Sequence, residues 1–504
     1  MHPLAQANTQ PLPLPEVDWR AIAPELALLA AGVVLLLVVA FWPRAGRGVL
    51  AGLTLAGLAV AAALTVWNWD LERVAFEGAV SLDGITRYAR AILLAVGALA
   101  TLMIAQGDTR EDEPDDSPPE VFPLLLFALL GMVLLAAASD LLVVFIALEV
   151  LSLSLYVLAG ETRRLAAQEA AMKYFLLGAF SSAFLLYGIA LCYGATGSTR
   201  LLEIARATGD PTGEGTLLLA GVGLLAVGFL FKVSAVPFHM WTPDVYQGTP
   251  TPVAAFMAAA TKVAAFAVFL RVFAGALGGL VVSWRPVIAG VAVLTMLIGA
   301  ALAVVQTDLK RMLAYSSISH AGYLLVGGAA AATVPRGVSA SMFYLLVYAF
   351  MVMGAFMVVQ YVSRLGPPDD DTIRERSSLE DYRGLARRHP WAAGLLAVFM
   401  LALTGIPPLS GFWAKYYVFL AGIEAGLTWL VVVAVISSVI SAFFYLRVLV
   451  VAYLQEPVGE AGAAPGRTPA LGVALGLAGL LTVAIGLAPE ALIAAARSAE
   501  RILG

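Results

Sequence analysis

Phe231–Lys232–Val233–Ser234–Ala235–Val236–Pro237–Phe238–His239 decides how this chain is read. A lysine sits in an otherwise apolar run, and a proline follows five residues later. In hydrocarbon a proline frees a backbone carbonyl that must find another partner. An ionisable residue at membrane depth costs about 2.5–3.5 kcal/mol on insertion scales. Two such costs together mark a site. The combination recurs at Gly405–Ile406–Pro407–Pro408, followed by Lys415. Paired Gly/Pro interruptions of apolar segments are the sequence mark of an ion pathway in repeat-built transporters.

Composition places these breaks in a membrane. The chain has 504 residues, 61% of them hydrophobic and 13% charged, with a mean hydropathy of +0.89. Soluble domains are about 45–50% apolar and about 25% charged. The net charge of −4 says little about partners, because topology follows Lys/Arg placement. The single cysteine, Cys192, excludes an internal disulfide and a Cys-ligated cluster. The four histidines (His2, His239, His320 and His389) have no metal-like spacing, so no metal or redox cofactor is expected in this chain. The proline-rich start, Met1 to Trp19, lacks a basic region, so no cleaved signal peptide is expected.

Fourteen apolar spans are expected, at about 23–42, 48–67, 86–106, 120–138, 140–159, 170–194, 216–238, 250–273, 285–306, 310–330, 338–362, 390–421, 427–454 and 468–488. An even number puts both ends on one side. Arg44, Arg47, Arg110, Arg163, Arg164, Lys310, Arg311 and the arginines of loop 363–389 lie on one set of loops, which favours termini outside. That loop reads as a solvated linker, with a docking surface as the sharper alternative. Residues 491–503 suit a short interfacial helix. Spans 4–8 and 9–13 are expected to be two copies of a five-helix unit, with the breaks in spans 7 and 12 corresponding.

Only five of the 30 basic residues are lysine: Lys173, Lys232, Lys262, Lys310 and Lys415. Four lie inside spans and Lys310 at the edge of one. A buried lysine can lose its proton, whereas arginine stays charged, so lysine kept for dry places suits a proton carrier. Lys262 lies about twelve residues into its span, or about 18 Å at 1.5 Å per residue, near mid-membrane. Glu149 is the acid at similar depth. His320 follows the hydroxyl-rich Tyr315–Ser319. Each has a plainer alternative. Lys232 and Glu149 could form a static pair, Lys262 could be inert, and His320 a hydrogen-bonded core residue. Lys415 could snorkel, and Lys173 could pair with Glu169 one helical turn away. The role of His239 is open, and Asp308, Lys310 and Arg311 read as interface anchors.

The segment from Phe231–Lys232 to Pro243–Asp244–Val245–Tyr246–Gln247–Gly248 resembles the antiporter-like membrane subunits of proton-pumping NADH:quinone oxidoreductase. So do Thr249–Pro250–Thr251–Pro252–Val253, Asp308–Leu309–Lys310–Arg311 with Tyr315–Ser316–Ser317, and Gly405–Ile406–Pro407–Pro408–Leu409–Ser410–Gly411–Phe412. Asp244–Val245–Tyr246 and Lys415 fit the N type, counterpart of mitochondrial subunit 2, better than the L or M types. The resemblance covers about residues 80–490; Asp108–Pro119 and the tail depart from it.

It implies an all-α integral membrane fold of about 14 helices, with two inverted five-helix repeats and broken helices 7 and 12. The expected divisions are 1–119, 120–273, 285–454 and 468–504. It also implies that Glu149, Lys232, Lys262, His320, Lys415 and Lys173 carry protons along the membrane middle. NADH, FMN, iron–sulfur clusters and quinone would then belong to partner subunits. Expected partners are the M-type subunit, small K, J and A types, and the lipid bilayer, with no nucleic acid. The expected location is the cell inner membrane. Alternatives are a cation/proton antiporter subunit and a non-conducting spacer.

Overall fold

The structure, a computed structural model, describes residues 17–42, 44–106, 118–209, 215–365, 375–457 and 468–502. The acidic run Asp108–Glu113, His2 with most of the proline-rich start, and part of loop 363–389 lie outside the described residues.

Three helices come first: α1 (Ala23–Phe41), α2 (Arg47–Trp67) and α3 (Gly84–Gln106). Between α2 and α3 lies a feature that the reading by spans missed. It is a two-stranded antiparallel hairpin of β1 (Arg73–Ala75) and β2 (Val80–Leu82), with Arg73 opposite Leu82. Strands this short leave no hydropathy signal beside apolar runs of twenty.

The chain continues through α4 (Val121–Ala137), α5 (Leu141–Ala159), α6 (Leu165–Thr196) and the short α7 (Leu201–Thr208). Then come α8 (Thr216–Lys232), α9 (Trp241–Gly248), α10 (Thr251–Phe256) and α11 (Lys262–Phe269). π-helical turns at Met257–Thr261 and Leu270–Ala276 make one continuous rod of Thr251–Ala276.

The remainder is α12 (Val281–Val304), α13 (Leu309–Ala331), α14 (Arg336–Ser363) and α15 (Leu385–Arg388). After these run α16 (Pro390–Thr404), α17 (Ser410–Glu424), α18 (Thr428–Leu454), α19 (Pro469–Leu487) and α20 (Glu490–Arg497).

Among the described residues ten helical stretches are long and apolar enough to cross a membrane. Helix α13, rich in hydroxyls, and the shorter rods α4, α8–α9 and α16–α17 supply the other expected spans. The protein is an all-α integral membrane protein but for that hairpin. Thr251–Ala276 and α14 are the centre, with 100% and 94% of their apolar windows buried. Helices α6 and α18 turn Leu176, Phe180, Val435 and Val439 outward, as helices that are apolar all round do in lipid.

Both predicted breaks are present, and each satisfies its freed backbone groups internally. After Lys232, Ser234 takes a left-handed turn (φ +63°). The Phe231 carbonyl then accepts from Trp241 Nε1 at 3.1 Å, and Val236 N donates to Thr295 Oγ1 at 3.0 Å. At the second break Gly405 has φ +90°, and a Cβ there would sit 3.0 Å from Lys415 Cδ, so glycine is needed on both counts. The span expected as 390–421 is thus two rods, α16 and α17, and the one expected as 216–238 stops as a helix at Lys232, with α9 starting beyond it at Trp241, because neither proline can continue a hydrogen-bond ladder.

Candidate functional site

Lys232 ends α8 and is 5% exposed. Its Nζ donates to Ser152 Oγ on α5 at 2.7 Å, and Ser152 in turn donates to the Leu148 carbonyl. The rings of Tyr156 and Tyr174 lie 5.8 and 5.5 Å from the ammonium, within cation–π reach. Glu149 makes no ion pair with Lys232, which argues against the static pair. Its buried Oε1 has no hydrogen-bond partner. A narrow cleft lined by Gly178, Ser181, Ser182, Gly228 and Phe231 reaches the lysine.

Lys262 begins α11 just after the first π turn and is 3% exposed. It donates to the Ser317 carbonyl of α13 at 2.5 Å, with the Tyr348 ring at 5.3 Å. One turn further along α13, His320 meets Tyr344 Oη through Nδ1 at 2.6 Å and Tyr445 Oη through Nε2 at 3.1 Å. Tyr445 also bonds Ser316. A neutral imidazole donates from one nitrogen and accepts at the other, and hydroxyls do either, so this cluster accommodates both tautomers.

Lys415, on α17, reaches back to the Thr404 carbonyl at the end of α16 (2.8 Å) and across to Ser438 Oγ on α18 (2.9 Å). It closes the second break directly. Its Nζ is 5.1 Å from the Tyr323 ring, and Tyr323 Oη bonds Ser437 at 3.2 Å. Among the described residues no carboxylate pairs with Lys232, Lys262 or Lys415.

Lys173 stands apart and is the most exposed of the set. It pairs with Glu169 as expected (2.7 Å) and also with Asp244 on α9 (3.0 Å), which binds Arg311 at 2.6 Å. The structure therefore groups Lys262 with His320 across α11 and α13. It brings Lys232 and Lys415 each to its own break and leaves Lys173 in a separate ionic chain.

Several residues were missed. Asp308 caps α13 by accepting from Arg311 N at 2.9 Å. Lys310, expected as an interface anchor, is buried and donates to the Thr249 carbonyl at 2.6 Å while pairing with Glu375, a partner the sequence did not show. Glu375 also binds Arg164 at 3.1 Å and caps α10 through Thr251 N at 3.2 Å. Burial pushes the Glu375 carboxyl up, but Lys310 and Arg164 outweigh it and hold it below the usual range. Arg271 forms a bidentate pair with Asp83 at 2.6 and 2.8 Å, and Arg90 binds Glu25 through Nε at 3.0 Å. The Asp83 carboxyl is likewise held low, burial being outweighed by Arg271. Tyr344 and Tyr445 gave no signal, since tyrosine reads as ordinary core. The partners of these buried charges lie 65 to 211 residues away along the chain.

Two broken rods with buried amines around a buried central helix define an antiporter-like membrane subunit. The model of the NADH:quinone oxidoreductase/Mrp antiporter membrane family matches residues 138–441. NADH-quinone oxidoreductase subunit N of Acidothermus cellulolyticus is 45% identical over 97% of both chains. Among solved structures, a chain of respiratory complex I from Thermus thermophilus matches with TM-score 0.79 and 37% identity. It covers 94% of this chain and all of that one. A chain of the Mrp complex from a Dietzia species matches at TM-score 0.81 and 23% identity, over 96% and 97% of the two chains; that likeness is one of fold. The chain belongs to the NADH-quinone oxidoreductase subunit N family.

Proposed function

We propose that this chain translocates protons as a membrane subunit of an NADH:quinone oxidoreductase, driven by redox chemistry in partner subunits. The observation that supports this most is that three amines at membrane depth hydrogen-bond to hydroxyls and carbonyls, lie beside aromatic faces, and form no ion pair among the described residues. A group left without a counter-charge in a dry place must be free to give up its proton. Close to Lys262 on the Ser317 carbonyl, the hydrogen-bonded cluster of Ser316, Tyr445, His320 and Tyr344 offers partners for lateral transfer.

In this reading Lys232 takes up a proton near Glu149, Lys262 and His320 relay it, and Lys415 releases it. Lys173, tied to Asp244, would supply the approach. Moving Glu149 toward or away from Lys232 would favour or disfavour the protonated amine. Carrying one charge against 100 mV costs about 2.3 kcal/mol, within reach of one such rearrangement.

The termini face outward in the cell's inner membrane, and 120–273 and 285–454 are the two working units. NADH, FMN, iron–sulfur clusters and quinone belong to partner subunits, and the neighbours are M-, K-, J- and A-type chains. The test uses Lys232→Ala and Lys262→Ala in the assembled complex. The expected result is unimpaired subunit incorporation with fewer protons moved per electron. Wild-type stoichiometry in both variants defeats the reading and leaves scaffolding.

A further inference from the structure

The helix that carries Lys262 differs at its two ends. Toward Thr251 its surroundings carry hydroxyls: Thr249, Thr251, Thr261, Tyr246, Ser316 and Ser317 are all buried beside it or at its start. Toward Ala276, the stretch from Val263 to Phe273 has one polar residue, Arg271, and its guanidinium is held by Asp83, Thr86 and the Ala136 carbonyl.

The packing there is aromatic. Phe269 stacks on Phe273 with ring centroids 4.6 Å apart, and Phe266 meets Phe269 at 6.0 Å. Phe229 of α8 and Trp284 of α12 close on Phe273 at 6.1 and 5.4 Å. Gly328 lets α13 approach so closely that a Cβ there would lie 2.8 Å from Phe269 Cε1.

Directly beyond, Ala274 and Gly275 line an open cleft of about 430 Å³, with Ala331, Thr333 and Glu500 in its wall. Ala274 is twelve residues from Lys262, or about 18 Å along the rod. The hydroxyls at this end are held by backbone carbonyls or by Glu500: Thr333 donates to Ala330 (3.2 Å), Thr208 to Ala276 (3.1 Å), Ser341 to Gly337 (2.7 Å), and Ser339 bonds Glu500 at 2.6 Å.

We infer that Phe229, Phe266, Phe269, Phe273 and Trp284 form a dry plug between Lys262 and the cleft at the Ala276 end. A proton on Lys262 therefore leaves sideways toward His320 and not into the cleft. The physical reason is that a gap lined by aromatic carbon gives water no hydrogen-bond partner and stays dry. A proton cannot cross such a gap without a carrier. The bidentate Arg271–Asp83 pair holds the turn on which the plug is built. The inference rests on the proton-carrying reading of Lys262, and the experiment separates the two.

The assembled complex, in liposomes without NADH, is given a pH step, and passive proton entry is followed with a pH-sensitive dye. With the double substitution Phe269→Ser and Phe273→Ser, entry is expected to rise about tenfold, the change given by a barrier lowered by about 1.4 kcal/mol. The pair Phe269→Ala and Phe273→Ala opens similar space without a hydroxyl and is expected to stay tight. Adding Lys262→Ala to the serine pair is expected to restore tightness. Should the serine pair not assemble, Phe273→Tyr keeps the ring and adds one hydroxyl, with a smaller leak expected. A tight serine pair, a tight tyrosine variant where only that assembles, or an alanine pair that leaks equally overturns the plug. NADH-driven stoichiometry that survives Lys262→Ala instead overturns the proton-carrying reading and leaves a leaking serine pair in support of the barrier.

Discussion

The buried cations near the helix ends and those at mid-depth are treated in opposite ways. Near the ends, Arg90 meets Glu25, Arg271 meets Asp83, and Lys310 meets Glu375. At depth, Lys232, Lys262 and Lys415 meet Ser152, the Ser317 carbonyl, and Thr404 with Ser438. The difference lies in place and not only in residue type, since Lys310 is a lysine and is paired. A charge that must persist in a low dielectric needs a counter-charge, because the desolvation penalty is several kcal/mol per ion. A group that can shed its proton does not. The ends carry ion pairs; the amines at depth are held by hydroxyls and carbonyls alone.

The sharpest way to break this contrast is to unpair an end. Arg271→Met strands Asp83 and is expected to cost about 3–5 kcal/mol, seen as loss of the subunit from the purified complex or a much lower Tm. If the complex assembles with unchanged Tm, the end pairs are not fasteners.

The second is Lys262→Arg beside Lys262→Met. A permanent charge with no acid is expected to destabilise by several kcal/mol, while the neutral thioether leaves Tm nearly unchanged and still lowers protons per electron. Equal thermal stability of the two variants would remove the distinction drawn here.

The third is Glu375→Gln, expected to cost about 1.5–3 kcal/mol, the range for hydrogen bonds to charged groups. Because the folded carboxyl is held below its ordinary value of 4.5, its contribution is fully present above that pH. It fades only as pH falls through the still lower folded value. Thermal unfolding in detergent from neutral to acid pH should therefore show the variant losing less stability than the wild type.

The smallest is Ser152→Ala, which removes one neutral partner from Lys232 at about 0.5–1.5 kcal/mol. It should alter the pH dependence of pumping more than Tm.

Much of this protein was legible along the chain. Hydrophobic runs gave the long rods, though not the short α7, α9 and α15, since a backbone in hydrocarbon must close its own hydrogen bonds as a helix. Pro237 and the Pro407–Pro408 pair located both breaks for the same reason. The sparing use of lysine drew attention to Lys232, Lys262 and Lys415. What stayed hidden was who stands opposite whom. Glu375 sits 65 residues beyond Lys310, and Asp83 sits 188 before Arg271. Nothing local announces either pairing. Tyr344 and Tyr445, the two contacts of His320, look like any core tyrosine until α13, α14 and α18 come together. The β1–β2 hairpin is too short to register.

The sequence by itself determined that the chain crosses the membrane many times, where two rods are broken, and which amines lie at depth, because hydropathy and proline geometry act between neighbours in the chain. Only the tertiary structure decided which buried charges are neutralised and which are left to hydroxyls and carbonyls. That choice depends on helix faces meeting across long separations, and in a low dielectric it separates a fastened charge from one able to move.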